Sequence, residues 1–250
     1  MTESNHNPLS VHINADARQV WVMLREPSLI AQWHGWELDS LEDEINLIYF
    51  TDATESEDHL KLVANGGNTF TLEPVGDGTR VTLERGPVDP ESEMADWDQD
   101  ITEGFTSFLQ QLRFALERHP NTPRQTTYFS HDAVPEGGAL ASLGLDNLPA
   151  PGEEYEAELS TGETISGKVW FRTDNQLGLT VRSYAEHGDG LLIVADMPRH
   201  ERLRPDGGTQ VLITTYGLGA RRLGEIRSAW DSWRTQHFPS SEELTVGRPL

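Results

Sequence analysis

At 250 residues the chain exceeds the usual size of one domain and suits two, each long enough to hold a core of its own. Its 41 acidic and 19 basic side chains give a formal charge of -22, which repels phosphate backbones and anionic lipid and so argues against nucleic-acid and membrane partners. Zero cysteines exclude disulfides, thiolate metal sites and cysteine nucleophiles, and with no apolar run of signal or spanning length the expected location is cytoplasmic.

The first seven residues are polar and are expected to be flexible. Leu9, Val11 and Ile13 then alternate with Ser10, His12 and Asn14 at the two-residue period of a half-buried strand. Asp16 and Gln19 have capping-box spacing, and Ala17, Val20, Trp21 and Leu24 fall on one helical face behind them. Pro27 suits the first turn of a second short helix, whose apolar Ile30 and Trp33 precede a stop at Gly35.

From Trp36 to Gly86 the pattern predicts an antiparallel meander, with strands at Ile45–Phe50, His59–Ala64, Thr69–Val75 and Arg80–Leu83 between glycine turns. The acidic Pro87–Asp100 stretch reads as solvated loop and helix entry. Ile101, Phe105, Phe108, Leu109, Leu112 and Leu116 then hold one face of a long helix that Pro120 stops.

Residues 120–127 read as a linker rich in proline and polar groups. Beyond it, strands are predicted at Tyr155–Leu159, Thr164–Thr173, Leu177–Arg182, Leu191–Ala195 and Gln210–Tyr216. A final helix carries Leu223, Ile226, Trp230 and Trp233 on one face, and the last eleven residues are expected to be flexible. The stretch Leu72–Gly86 is echoed by Leu203–Gly217, each leading through a glycine turn and a strand toward a terminal helix, which points to duplication.

The stretches Val11–Glu37 (VHINADARQVWVMLREPSLIAQWHGWE) and Ile101–Pro120 (ITEGFTSFLQQLRFALERHP) resemble the START-like or SRPBCC superfamily, the helix-grip fold, in particular its activator-of-heat-shock-protein-90-ATPase-homologue branch. That resemblance implies an α+β fold in which an antiparallel sheet wraps a long C-terminal helix, with a domain at residues 8–120 and a divergent second copy at 126–239. It also implies a cavity between sheet and helix for an apolar or amphipathic small molecule. The superfamily spans carriers, receptors, cyclases and co-chaperone domains, so fold alone does not settle function.

Trp33, Trp36, Tyr49, Phe105, Phe108, Leu109 and Leu112 are the candidate cavity wall. Core and ligand wall coincide on the inward face of such a helix, and Trp33 reads first as core. His34 reads as a solvated helix-end residue, and Phe70, Trp170, Tyr184, Trp230 and Trp233 are weaker candidates. Tyr216–Glu225 has a glycine turn before a helix, but in GxGxxxxG spacing and without a following strand, so it reads as a helix entry and not as a nucleotide loop. Nine histidines lack metal-ligand spacing and no GxSxG elbow occurs, so no cofactor, metal or catalytic residue is assigned. The expected function is non-catalytic binding of an apolar small molecule by a carrier or accessory protein. A cyclase- or hydrolase-like enzyme, or a co-chaperone-like module with a protein partner or a second copy, are the alternatives.

Overall fold

The computed structural model describes residues 7–36, 38–92 and 94–238, so the predicted flexible ends lie almost wholly outside the described residues. The chain divides between Asn121 and Thr122 into two compact units. Every pairing between its named strands is antiparallel.

The first unit opens with β1 (Leu9–Ile13), whose alternating burial places Val11 and Ile13 inside. Helix α1 (Ala17–Arg25) follows, and both halves of the capping box form: the Gln19 backbone N–H donates to Asp16 Oδ1 at 2.8 Å, and the Asp16 backbone N–H to Gln19 Oε1 at 3.1 Å. Pro27 starts α2 (Pro27–Ile30). Then α3 (Leu41–Tyr49) stands where a strand was predicted at Ile45–Phe50. The apolar residues Leu41, Ile45, Ile48 and Tyr49 have helical spacing, and Glu42, Asp43 and Glu44 occupy the first turn, where the helix dipole favours acids.

The sheet continues with β2 (Thr54–Glu55), β3 (Lys61–Val63), β4 (Thr69–Val75) and β5 (Gly78–Glu84). The strand predicted at His59–Ala64 is therefore shorter, and β2 was not anticipated. Strand order is β1-β5-β4-β3-β2, with β5 beside β1 in the register Leu9–Leu83 to Ile13–Thr79. Helix α4 (Met94–Arg118) takes in the second half of the predicted acidic loop. Arg85, just past β5, anchors that added turn: Nη1 donates to the Asp98 carbonyl at 3.1 Å and to Thr102 Oγ1 at 2.7 Å, and Nη2 to Asp98 Oδ1 at 3.1 Å. Burial pulls the Arg85 pKa down and the Asp98 charge opposes that shift, as expected of a guanidinium taken out of water with its counter-ion. The inward residues of α4 share one core with Val11, Ile13, Leu62, Phe70, Leu72, Val81 and Leu83 of the sheet, so the helix is clasped by it.

The second unit repeats this plan. Strand β6 (Arg124–His131) corrects the predicted linker at 120–127, whose second half is an edge strand. Helix α5 (Ala139–Leu143) is the reduced counterpart of the early helices. Strands β7 (Glu154–Glu158), β8 (Thr164–Arg172), β9 (Gln176–Val181), β10 (Gly190–Met197) and β11 (Gly208–Tyr216) precede α6 (Ala220–His237), whose entry is the glycine turn. Strand order is β6-β11-β10-β9-β8-β7.

In both units the last strand returns beside the first, the others run outward in reverse, and a long helix closes the unit. The fold is thus α+β, a helix-grip topology in tandem. The sequence echo needs one correction: Leu203 lies in the turn before β11 and not in a strand, so the structural equivalent of the hairpin β4–β5 is β10–β11. No helix among the described residues is long and apolar enough to cross a membrane.

Candidate functional site

Beneath α4 of the first unit, rings from four regions converge. Trp33 and His34 follow α2, Trp36 follows Gly35, Tyr49 ends α3, Phe70 lies on β4, and Phe105 and Phe108 descend from α4. Trp33 meets Tyr49 at 5.7 Å and Phe70 at 6.5 Å between ring centroids, both edge-on, and Phe105 meets Phe108 edge-on at 6.0 Å. His34 lies 4.7 Å from Phe108, and Trp36 lies 4.8 Å from Phe108 on the outer side. Leu109 and Leu112 belong to the same core. The seven candidate wall residues therefore come together in one cluster. Six are buried, and Trp36 is half-buried.

Gly35 makes the convergence possible. Its φ of +62° reverses the chain, and a Cβ there would lie 2.7 Å from Leu41 Cδ1. The turn lets α3 fold back so that Glu44 and Tyr49 reach His34. The Tyr49 hydroxyl and His34 Nδ1 are 2.9 Å apart, and His34 Nε2 is 2.9 Å from Glu44 Oε1.

A carboxylate at Glu44 can only accept, so Nε2 carries the imidazole proton and Nδ1 accepts from Tyr49. Burial, with the nearby Glu44 charge, pushes the Tyr49 hydroxyl well above its ordinary pKa, which keeps it a donor. The result is a directed relay, Tyr49 to His34 to Glu44, running from the buried rings to the partly exposed carboxylate. His34 is fully buried, contrary to the solvated helix end expected from its place beside Gly35. Glu44 was not singled out in the sequence; its signal was the acidic first turn of α3.

Two backbone-directed bonds fix the surrounding frame. Trp33 Nε1 donates to the Met23 carbonyl at 2.8 Å, and Gln111 Nε2 of α4 donates to the Trp33 carbonyl at 3.1 Å. The second ties the turn that presents His34 to the middle of the long helix.

The second unit has its own buried polar chain. Trp230 Nε1 donates to the Tyr184 hydroxyl at 2.8 Å, Tyr184 donates to Glu163 Oε2 at 3.0 Å, and Arg222 Nη2 donates to Glu163 Oε1 at 2.9 Å. Burial first, then the Glu163 charge, raise the Tyr184 pKa. Of the weaker candidates, Tyr184, Trp230 and Trp233 gather in this core, while Phe70 joins the first cluster.

No protein-family model matches the chain, and no curated protein matches it closely enough to count as a relative. Among solved structures it is similar to DynU16, a protein of the dynemicin biosynthetic locus, at 17% identity and TM-score 0.33 over 90% of this chain and 94% of that one. It is also similar to two di-domain ARO/CYC proteins. BexL, from the BE-7585A pathway, is 12% identical with TM-score 0.34 over 94% of this chain and 99% of that one. StfQ, from the steffimycin pathway, is 11% identical with TM-score 0.32 over 94% of this chain and 93% of that one. At this level of likeness the fold assignment rests on the strand order and register of the chain itself.

Proposed function

We propose that the first unit binds an apolar or amphipathic small molecule between its sheet and α4, with Trp33, Trp36, Tyr49, Phe105, Phe108, Leu109 and Leu112 as the wall, and that the protein serves as a non-catalytic carrier or accessory protein. The observation that carries the reading is Trp36. It is the ring of the cluster that reaches solvent, and its inner side lies on Phe108. An indole so placed works as a door, because turning it outward opens the ring of Phe108 to a planar apolar guest.

Native mass spectrometry of the full chain purified from its own host tests this. The expected result is a retained small molecule whose occupancy falls at least tenfold in Phe108→Ala. A bare protein mass, together with tryptophan emission that an added hydrophobic dye does not change, would defeat the reading.

The relay favours a second reading, a cyclase- or hydrolase-like enzyme in which the Tyr49 oxygen takes a proton from a bound substrate as it passes its own to His34 Nδ1, with Glu44 offsetting the charge that the imidazole gains. Tyr49→Phe separates the two: a carrier keeps its cargo, whereas an enzyme keeps its substrate and loses turnover. The narrower kinship with the activator-of-heat-shock-protein-90-ATPase-homologue branch rests on Val11–Glu37 and Ile101–Pro120 alone and enters this proposal as a shape. A cytoplasmic location and a protein partner or second copy belong to the same proposal.

A further inference from the structure

The polar networks just described are closed: in each, every member named has a partner. One corner of the second unit differs. Trp233 on α6 is 2% exposed and His131 at the end of β6 is 8% exposed, yet Trp233 Nε1 and His131 Nε2 are buried atoms without a hydrogen-bond partner. A buried polar nitrogen left unpaired forfeits its hydration and gains nothing in return, so both call for an explanation.

They share a ring frame. His131 stacks on Phe238 at 4.2 Å and 10°, and Trp233 meets Phe238 edge-on at 5.9 Å. Phe129, two residues before His131 on the same face of β6, lies 6.2 Å from His131 and 6.1 Å from Trp233. Phe129 and Phe238 thus each neighbour both rings that carry the orphan nitrogens. Phe129 is half-buried and β6 is an edge strand, which gives the corner a way out. A contact between Arg227 Nε and Thr127 Oγ1 at 3.3 Å, one step back on the same strand face, holds α6 to β6.

We infer that this corner is a binding subsite of the second unit, in which Trp233 Nε1 and His131, as its Nε2–H tautomer, donate to the acceptor oxygen of an aromatic ligand whose ring lies against Phe129 and Phe238. The indole N–H can only donate, which requires an acceptor on the ligand, and a carbonyl or a carboxylate supplies one. Arg234, on the same helix as Trp233 and close enough to act on His131, adds positive potential although it is paired with Asp231 at 2.7 Å; the charge of Asp132 opposes it. The subsite is independent of the site proposed for the first unit, since it shares no residue with it.

The test is a titration of the full-length, 15N-labelled protein with three probes of similar shape: 2-naphthoate, 2-acetylnaphthalene and 2-methylnaphthalene. The Trp233 indole N–H resonance, assigned by through-bond experiments, reports this corner, while those of Trp33 and Trp36 report the first unit separately. We expect a saturable shift of the Trp233 resonance with the oxygen-bearing probes and none with 2-methylnaphthalene. Response to the carboxylate alone assigns an anion near Arg234, and response to both assigns a neutral acceptor; either supports the subsite. Trp233→Phe and His131→Leu should each weaken binding at least tenfold. A Trp233 resonance unmoved at saturating concentrations of both oxygen-bearing probes, or moved equally by 2-methylnaphthalene, overturns the inference. The wild-type titration decides the question even if neither variant folds.

Discussion

Tyr49, His34 and Glu44 differ in how far water can replace what each contributes, and that difference orders the cost of removing them. Tyr49 and His34 are buried, so Tyr49→Phe keeps the ring packing but withdraws the proton that His34 Nδ1 accepts, with no solvent to substitute. The expected loss is about 1–2 kcal/mol of stability. Glu44 is partly exposed, and Glu44→Gln retains an acceptor oxygen for Nε2, so that change should cost less than about 0.5 kcal/mol. Urea unfolding of the two variants checks the order, and the reverse order would place the anchor of the relay at its outer end. His131 carries the opposite signature. Burial chiefly, and then the charge of Arg234, hold its pKa below the ordinary imidazole value, with Asp132 working against them. In the unfolded chain the ring takes up its proton as the pH falls through about 6.5, while the folded protein resists until lower pH. The unfolded state therefore binds more protons in that window, and stability falls as pH falls. His131→Leu should lose less stability than the wild type between about pH 7 and pH 5, which thermal melts at several pH values would show.

Among the elements, those with two agreeing signals were legible in the sequence and those with one were not. Strand β1 had alternation and a following cap. Helix α1 had a capping box and an apolar stripe, and α4 had four turns of stripe. The mostly apolar stretch Ile45–Phe50, broken only by Asn46, suits a buried strand or a helix equally by composition, and the acidic turn before it, which decides for α3, lay outside the stretch. Strand β6 carries Gln125, Thr126 and Thr127 next to Pro123, the composition of a linker, because an edge strand needs little apolar surface. The candidate wall was legible from helix periodicity, but the relay was not. Once Ile45–Phe50 is taken as a strand, Glu44 falls outside it and nothing brings it to His34. Gly35 is where that geometry is made. Gly35→Ala must adopt a left-handed φ and also displace Leu41, so we expect a loss of about 2 kcal/mol. Asp16→Ala, which removes one cap of α1, should cost about 1 kcal/mol. Paired denaturation curves would compare them, and an unaffected Gly35→Ala protein would mean that the turn to α3 has other routes.

For the whole molecule, the repeated strand order explains why two short, dissimilar halves share one topology. The hairpin that returns beside the first strand and the helix that closes the unit are the parts with strong local signals, while the segments between the first strand and that hairpin diverge freely, as α1 to α3 against α5 show. Each unit also has a hydrophobic core that shares no residue with the other: Phe108 lies in one and Leu179 in the other, both fully buried. Truncating a buried side chain costs about 2–5 kcal/mol, which for a domain of this size shifts a melting transition by several degrees per kcal/mol. If each core melts as its own cooperative body, calorimetry of the full chain resolves two transitions, with Phe108→Ala lowering one and Leu179→Ala the other. A single transition lowered by both variants would instead make the tandem one cooperative body, so that cargo bound in the first unit would stabilise the second by the same amount.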